Sequence, residues 1–135
     1  MDKEQLVSTL KLQHKGLQAD LGGLFDTTNG ADIVAGLAKF KGDLMNHLGL
    51  ENGTFYAELL KDMKTSGMDT KATEAFIAAM DDIAKVVTAF LEKYAKEESV
   101  KDMAMFRQNL NEIVAALNIR IESEEEGVYE TFLTI

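Results

Sequence analysis

Apolar residues recur at steps of three and four along four stretches of this 135-residue chain. Such steps place the apolar side chains on one face of an α-helix. Clusters of turn-forming residues separate the stretches, which cover residues 3–24, 30–62, 69–95 and 100–133. The pattern therefore predicts four amphipathic helices, with a local irregularity at Asn52 and Gly53 inside the second. In the third helix the predicted apolar face consists of Phe76, Met80, Ile83, Val87, Phe90 and Tyr94.

Four helices with short connections bury their apolar faces best against one another. The absence of proline and the abundance of Ala, Leu, Met, Lys and Glu also favour helix. Asn29 and Ser99 have the spacing expected of caps for the second and fourth helices. We therefore expect an all-α, antiparallel, up-and-down four-helix bundle, which residues 1–135 form as a single domain.

Five polar residues stand at positions where the pattern predicts an apolar side chain: His14, His47, Glu51, Arg120 and Glu124. His47 and Glu51 are one helical turn apart, and Arg120 and Glu124 occupy the equivalent turn of the fourth helix. We expect all five side chains to point into the bundle. A buried carboxylate is unfavourable there unless a cation or hydrogen-bond donors meet it.

The second helix repeats in the fourth at an offset of 73 residues. Apolar positions fall on apolar positions, and the informative pairs are His47 with Arg120, Glu51 with Glu124, and Tyr56 with Tyr129. The first helix repeats in the third at an offset of 66 residues, which pairs His14 with Met80. Two similar helical hairpins related by a pseudo-twofold axis would produce this pattern.

Two kinds of partner could neutralise the buried glutamates, and the residues leave both open. One is a metal ion, because imidazole and carboxylate groups from facing helices hold non-haem iron, manganese or zinc in bundle cores. The other is an internal salt-bridge network in which Arg120 pairs with Glu51 and Glu124. The second arrangement would give a metal-free bundle that acts as a non-catalytic interaction or sensory module.

Three helices carry segments that together resemble one protein family: QHKGL at 13–17, LMNHLGLE at 44–51 with FYAEL at 55–59, and IRIESEEEGVY at 119–129. The family is the hemerythrin-like (HHE cation-binding) domain, and the resemblance spans essentially the whole chain. It implies a four-helix bundle that holds a di-iron centre with histidines and two bridging carboxylates. It also implies a role in oxygen binding, iron or redox sensing, or nitric oxide or peroxide chemistry.

The resemblance gives metal-ligand positions to His14, His47, Glu51 and Glu124. Two histidines of the family pattern are missing, since Arg120 stands at the fourth-helix position and the repeat places Met80 at the third-helix position. Arginine keeps a fixed positive charge, and a thioether is a poor ligand for iron. We therefore expect one of two arrangements. The first is a weakened site for iron or another cation, which serves in the binding or sensing of oxygen, nitric oxide or iron. The second is a metal-free core closed by the Arg120 network.

Composition excludes several classes of function. The 23 acidic and 14 basic residues give a net charge of −9, which repels phosphate backbones and disfavours nucleic-acid binding. The absence of cysteine excludes disulfides and thiolate zinc sites, and no serine has the context of a nucleophilic triad, so we do not expect an enzyme. No segment has the character of a signal peptide or a membrane span, and we expect a cytoplasmic protein.

The residues around the five polar positions carry weaker expectations. Glu122, Glu125 and Glu126 are expected to form a solvated helix face. Tyr56 and Tyr129 are expected to pack at helix ends, each hydroxyl with a partner or water.

Exposed apolar residues bear on the oligomeric state. A monomer and a homodimer both stay open, and the apolar residues expected at the surface are Leu12, Ile121, Phe132 and Ile135.

Overall fold

The computed structural model describes residues 1–135 and contains helices and no strands. The first helix, α1 (Lys3–Gly22), is followed by a 3₁₀ turn at Gly23–Asp26. The second helical segment has three parts in sequence: α2 (Gly30–Leu50), a π-helical turn (Glu51–Phe55) and α3 (Tyr56–Thr65). The predicted irregularity at Asn52 and Gly53 is this π turn.

The second half of the chain repeats this order. The helix α4 (Lys71–Lys93) is followed by a 3₁₀ turn at Glu97–Val100. The last helical segment again has three parts: α5 (Met103–Ser123), a π-helical turn (Glu124–Val128) and α6 (Tyr129–Thr134). The two π turns begin at Glu51 and Glu124, so they obey the offset seen in the sequence.

Cross-helix contacts show that neighbouring helices run antiparallel. Between the first two helical segments, Lys39 meets Asp20, His47 meets Gln13, and Asp62 meets Lys3. The residue numbers rise on one segment as they fall on the other. The predicted all-α bundle is therefore confirmed. None of its helices has the length and apolarity needed to cross a membrane.

The helix starts follow from local capping. The Asn29 side chain accepts hydrogen bonds from the amides of Ala31 and Asp32, so the predicted cap of α2 is confirmed. The predicted cap at Ser99 is wrong, because Asp102 caps the amide of Met105 instead. Ser99 lies within the preceding 3₁₀ turn, and the fourth helix consequently starts at Met103.

The apolar core consists of two clusters on either side of a polar layer. The large cluster includes Leu17 and Leu44, and the small cluster includes Leu10 and Phe55. All five predicted inward polar residues lie in the layer between them, and each is at most 5% exposed. Their predicted burial is confirmed.

Two expectations about exposure need correction. Ile121 and Phe132 are buried rather than exposed, because they pack into the bundle, whereas Leu12 and Ile135 do lie at the surface.

The apolar face of α4 is less completely buried than the pattern predicts. Phe76 and Ile83 are only half-buried. Further along α4, a cavity of about 330 Å³ lies between α4 and α2, and its apolar lining includes Leu44, Leu48, Val87 and Leu91.

Candidate metal centre

Four residues from three helical segments converge in the polar layer. His14 comes from α1, His47 from the end of α2, and Glu51 and Glu124 are the first residues of the two π turns. One donor atom from each residue lies within 4.8 Å of the others. No side chain of the four is more than 3% exposed. The structure thus brings together all four residues that the resemblance singled out.

The π turns place the glutamates and the tyrosines after them in the layer. The amide of Tyr56 donates to the carbonyl of Glu51, and the amide of Tyr129 donates to the carbonyl of Glu124. This wider turn inserts one residue relative to an α-helix and rotates the next part of the helix. As a result, the side chains of Glu and Tyr in each pair both reach the interior.

The tyrosine hydroxyls cross between the two halves of the chain. The Tyr129 hydroxyl donates to Glu51 Oε2 at 2.6 Å, and the Tyr56 hydroxyl donates to Glu124 Oε2 at 2.7 Å. Both tyrosines are at most 3% exposed. The expected hydroxyl partners are therefore the two buried carboxylates. Short hydrogen bonds of this kind to a carboxylate are among the stronger ones in proteins.

Outer partners orient both imidazoles. His47 Nδ1 donates to Gln13 Oε1 and His14 Nδ1 donates to Glu125 Oε2, each at 2.7 Å. The Nε2 atoms are left facing the layer, 3.5 Å from Glu51 for His47 and 3.2 Å from Glu124 for His14. A carboxylate or amide oxygen behind a histidine fixes the ring for metal binding.

Sequence reasoning missed Gln13 and Glu125. The pattern predicts a solvated face for Glu125, but this residue is half-buried against His14. Each residue is next to a predicted ligand in the sequence but lies outside the apolar stripe, so the periodicity does not indicate that either is buried. Their contacts with His47 and His14 come from neighbouring helices that pack closely together.

Arg120 adjoins the four residues and is fixed on several sides. Its Nη1 donates to the carbonyl of Phe76 at 2.6 Å, and its Nη2 donates to the Tyr56 hydroxyl at 3.1 Å. The guanidinium also lies 3.6 Å from the centre of the Phe76 ring. Its Nε is 3.7 Å from Glu124 Oε2 and has no hydrogen-bond partner. Arg120 forms no ion pair with Glu51, whose partners are Tyr129 and His47.

Burial and local charge shift the protonation of the layer in both directions. Burial opposes ionisation of Glu51, but His47, Glu124 and Tyr129 together outweigh it and lower its pKa to about 2. Burial raises the pKa of Glu124, and the neighbouring Glu51 raises it further. Burial also lowers the pKa of His14, yet Glu124 and Glu125 outweigh that effect and raise it. Without a metal ion, both His14 and Glu124 therefore bind a proton more readily than the free side chains do.

The donor set fits one cation. An ion with bonds of about 2.1 Å spans at most about 4.2 Å between opposite ligands, so the four donor atoms need to close by only about half an ångström. Two imidazoles and two carboxylates suit iron, manganese or zinc. No other group of three or more His, Asp or Glu residues lies close enough to bind an ion.

One family comparison bears on this site. The model of the Hemerythrin HHE cation binding domain matches residues 5–132, a range that contains all four residues of the cluster. The comparisons with curated proteins and with solved structures return no match.

Proposed function

The chain belongs to the hemerythrin HHE cation-binding family, and we propose that it binds non-haem iron, or another divalent cation, through His14, His47, Glu51 and Glu124. The observation that carries the proposal is the convergence of four buried donor atoms within 4.8 Å. The two buried carboxylates have only Arg120 as a permanently charged cation nearby, and a metal ion would supply a second.

The surrounding residues would hold the ion rather than transform a substrate. Gln13 and Glu125 orient the histidines, and Tyr56 and Tyr129 orient the carboxylates. The two apolar clusters keep water away from the layer. Iron with four protein ligands supplies open coordination positions suited to a small ligand. We accordingly propose binding or sensing of oxygen, nitric oxide or iron, and not catalysis.

Metal analysis tests the proposal directly. Protein from iron-supplemented cells, or loaded with Fe²⁺ under anaerobic conditions and desalted, is expected to carry stoichiometric iron. Glu51→Gln should lose most of it, because it removes one anionic ligand. The matched control is Glu58→Gln, which alters an exposed glutamate of α3 and should change nothing. If the loaded wild-type protein contains less than about a tenth of an equivalent of any transition metal, the proposal is wrong.

A second candidate function rests on Arg120. Its buried contact with Glu124, extended through Tyr56, is the feature expected of a metal-free core. In that case the bundle serves as an interaction or sensory module without an ion. The two candidates differ in thermal unfolding, because an ion that binds only the folded state raises the melting temperature. An unchanged melting temperature with Fe²⁺, Mn²⁺ and Zn²⁺ would favour the metal-free module.

A further inference from the structure

We infer that Arg120 occupies the place of a second cation, so that the site accepts one ion per chain and not two. The inference rests on the proposed function, because it concerns how many ions the site holds. Three observations support it. The polar layer has an internal pseudo-twofold symmetry, Glu124 contacts both halves of the layer, and the Arg120 guanidinium is fixed by its contacts.

The pseudo-twofold symmetry divides the layer into two halves that differ in chemistry. We call His14, His47 and Glu51 the imidazole half, and their counterparts Met80, Arg120 and Glu124 the guanidinium half. Both glutamates begin a π turn, and both are followed five residues later by a tyrosine that crosses to the other half. The backbone is therefore equivalent on the two sides, and Arg120 stands where an equivalent of His47 would stand.

Glu124 faces both halves with different oxygen atoms. Its Oε1 lies 3.2 Å from His14 Nε2, on the side of the proposed ion. Its Oε2 accepts the hydrogen bond from Tyr56 and lies 3.7 Å from Arg120 Nε. One oxygen is thus directed to the imidazole half and the other to a permanent cation. The carboxylate links two positive positions, one of which this chain fills with its own side chain.

The guanidinium is held too firmly to give way to an ion. Arg120 is 5% exposed, it lies against the ring of Phe76, and it donates to the carbonyl of Phe76 and the hydroxyl of Tyr56. Arginine stays charged at any accessible pH. A second divalent ion beside it would meet like charge in a poorly solvated core.

The guanidinium half also lacks ligands from α4. From α4, Phe76 lays its ring against the guanidinium, and the repeat pairs His14 with Met80, whose thioether is a soft ligand. Met80 and Tyr56 line a cavity of about 350 Å³, which leaves room for an imidazole at position 80. Exchange of Met80 and Arg120 for histidine would therefore give the second half the same imidazoles as the first.

The test counts ions and asks whether they interact. Protein is loaded with Mn²⁺, desalted, analysed for metal and examined by electron paramagnetic resonance. The wild type is expected to hold close to one equivalent with the spectrum of an isolated Mn²⁺. The double variant Arg120→His/Met80→His should hold close to two and show the spectrum of a magnetically coupled pair. The control pair Arg107→His/Met105→His adds two imidazoles elsewhere on α5 and should stay at one.

The possible results distinguish a failure of the one-ion inference from a failure of the proposed metal binding. No bound ion in the wild type overturns the proposed function. Two ions in the wild type, or a coupled spectrum, leave that function intact and overturn the inference. One ion in a double variant that folds, judged by circular dichroism, also overturns it. If that variant does not fold, the wild-type count and spectrum decide the question by themselves.

Discussion

Arg120 is the residue whose removal should most disturb the metal-free protein. Arg120→Ala removes the permanent cation beside Glu124 and the side-chain donor to the carbonyl of Phe76. Breaking a buried ion pair from one side costs about 3–5 kcal/mol, and we expect a loss of that size in the free energy of unfolding. Urea denaturation in the presence of a chelator measures it.

Arg107→Ala provides the control for this substitution. Arg107 lies on the same helix, is half-buried and forms no ion pair. Its replacement should cost less than about 1 kcal/mol. An Arg120→Ala variant that loses no more than Arg107→Ala would contradict the role given to the buried guanidinium.

At the scale of the residue, the sequence predicts the buried polar residues, because they interrupt a regular apolar pattern. A charged or polar residue in an apolar stripe is conspicuous, so all five members of the polar layer can be located from the sequence alone. The hydrogen-bond pairings across the layer cannot be predicted in this way. The pairings of Tyr129 with Glu51 and of His14 with Glu125 join residues more than 70 positions apart, and only the packing of the helices brings them together.

At the scale of the element, two of the four glycines of α2, Gly36 and Gly42, have opposite surroundings. A Cβ at Gly42 would meet no atom within 4 Å, whereas a Cβ at Gly36 would lie 2.7 Å from Leu24 Cδ2. Gly42→Ala should therefore raise the free energy of unfolding by about 0.5–1 kcal/mol, because alanine favours helix.

Gly36→Ala is the comparison within the same helix. It should gain nothing or lose stability, because Leu24, which is buried in the large cluster, must move. Thermal melting of the two variants measures the contrast. Equal stabilisation by both substitutions would show that Leu24 does not pack closely against α2 at Gly36.

Elements are predictable where the signal is local. The Asn29 cap and the four helical segments follow from residues next to each other in sequence. Ser99 misled because it lies within the 3₁₀ turn Glu97–Val100, and Asp102, three residues on, supplies the cap. The second π turn has no signal of its own, and only its equivalence to the first under the repeat points to it.

At the scale of the whole molecule, the polar layer should make the stability of the metal-free protein depend on pH. The lowered pKa of Glu51 gives stability that is present above about pH 4.5 and is lost as the pH falls towards 2. The raised pKa of Glu124 gives stability that is present below about 4.5 and is lost as the pH rises through the folded-state pKa. The raised pKa of His14 gives stability that is present below about 6.5 and is likewise lost as the pH rises.

Together these shifts predict a maximum at mildly acidic pH without metal. Urea midpoints in chelator should be higher at about pH 5 than at about pH 8, and His14→Gln should flatten the decline. A bound cation should reverse the trend, since it needs a deprotonated imidazole. Metal-free protein that is more stable at about pH 8 than at about pH 5 would contradict the raised pKa values of His14 and Glu124.

The crossed tyrosines also determine when the site can exist during synthesis. Tyr129 lies 78 residues beyond Glu51, the carboxylate to which it donates, and Tyr56 lies 68 residues before Glu124. While the ribosome is still making the second hairpin, His47 already has Gln13, but Glu51 lacks Tyr129 and the layer lacks Glu124. The four donors can be enclosed only after Glu124 and Tyr129 have been made, so the proposed loading with metal would follow translation of nearly the whole domain.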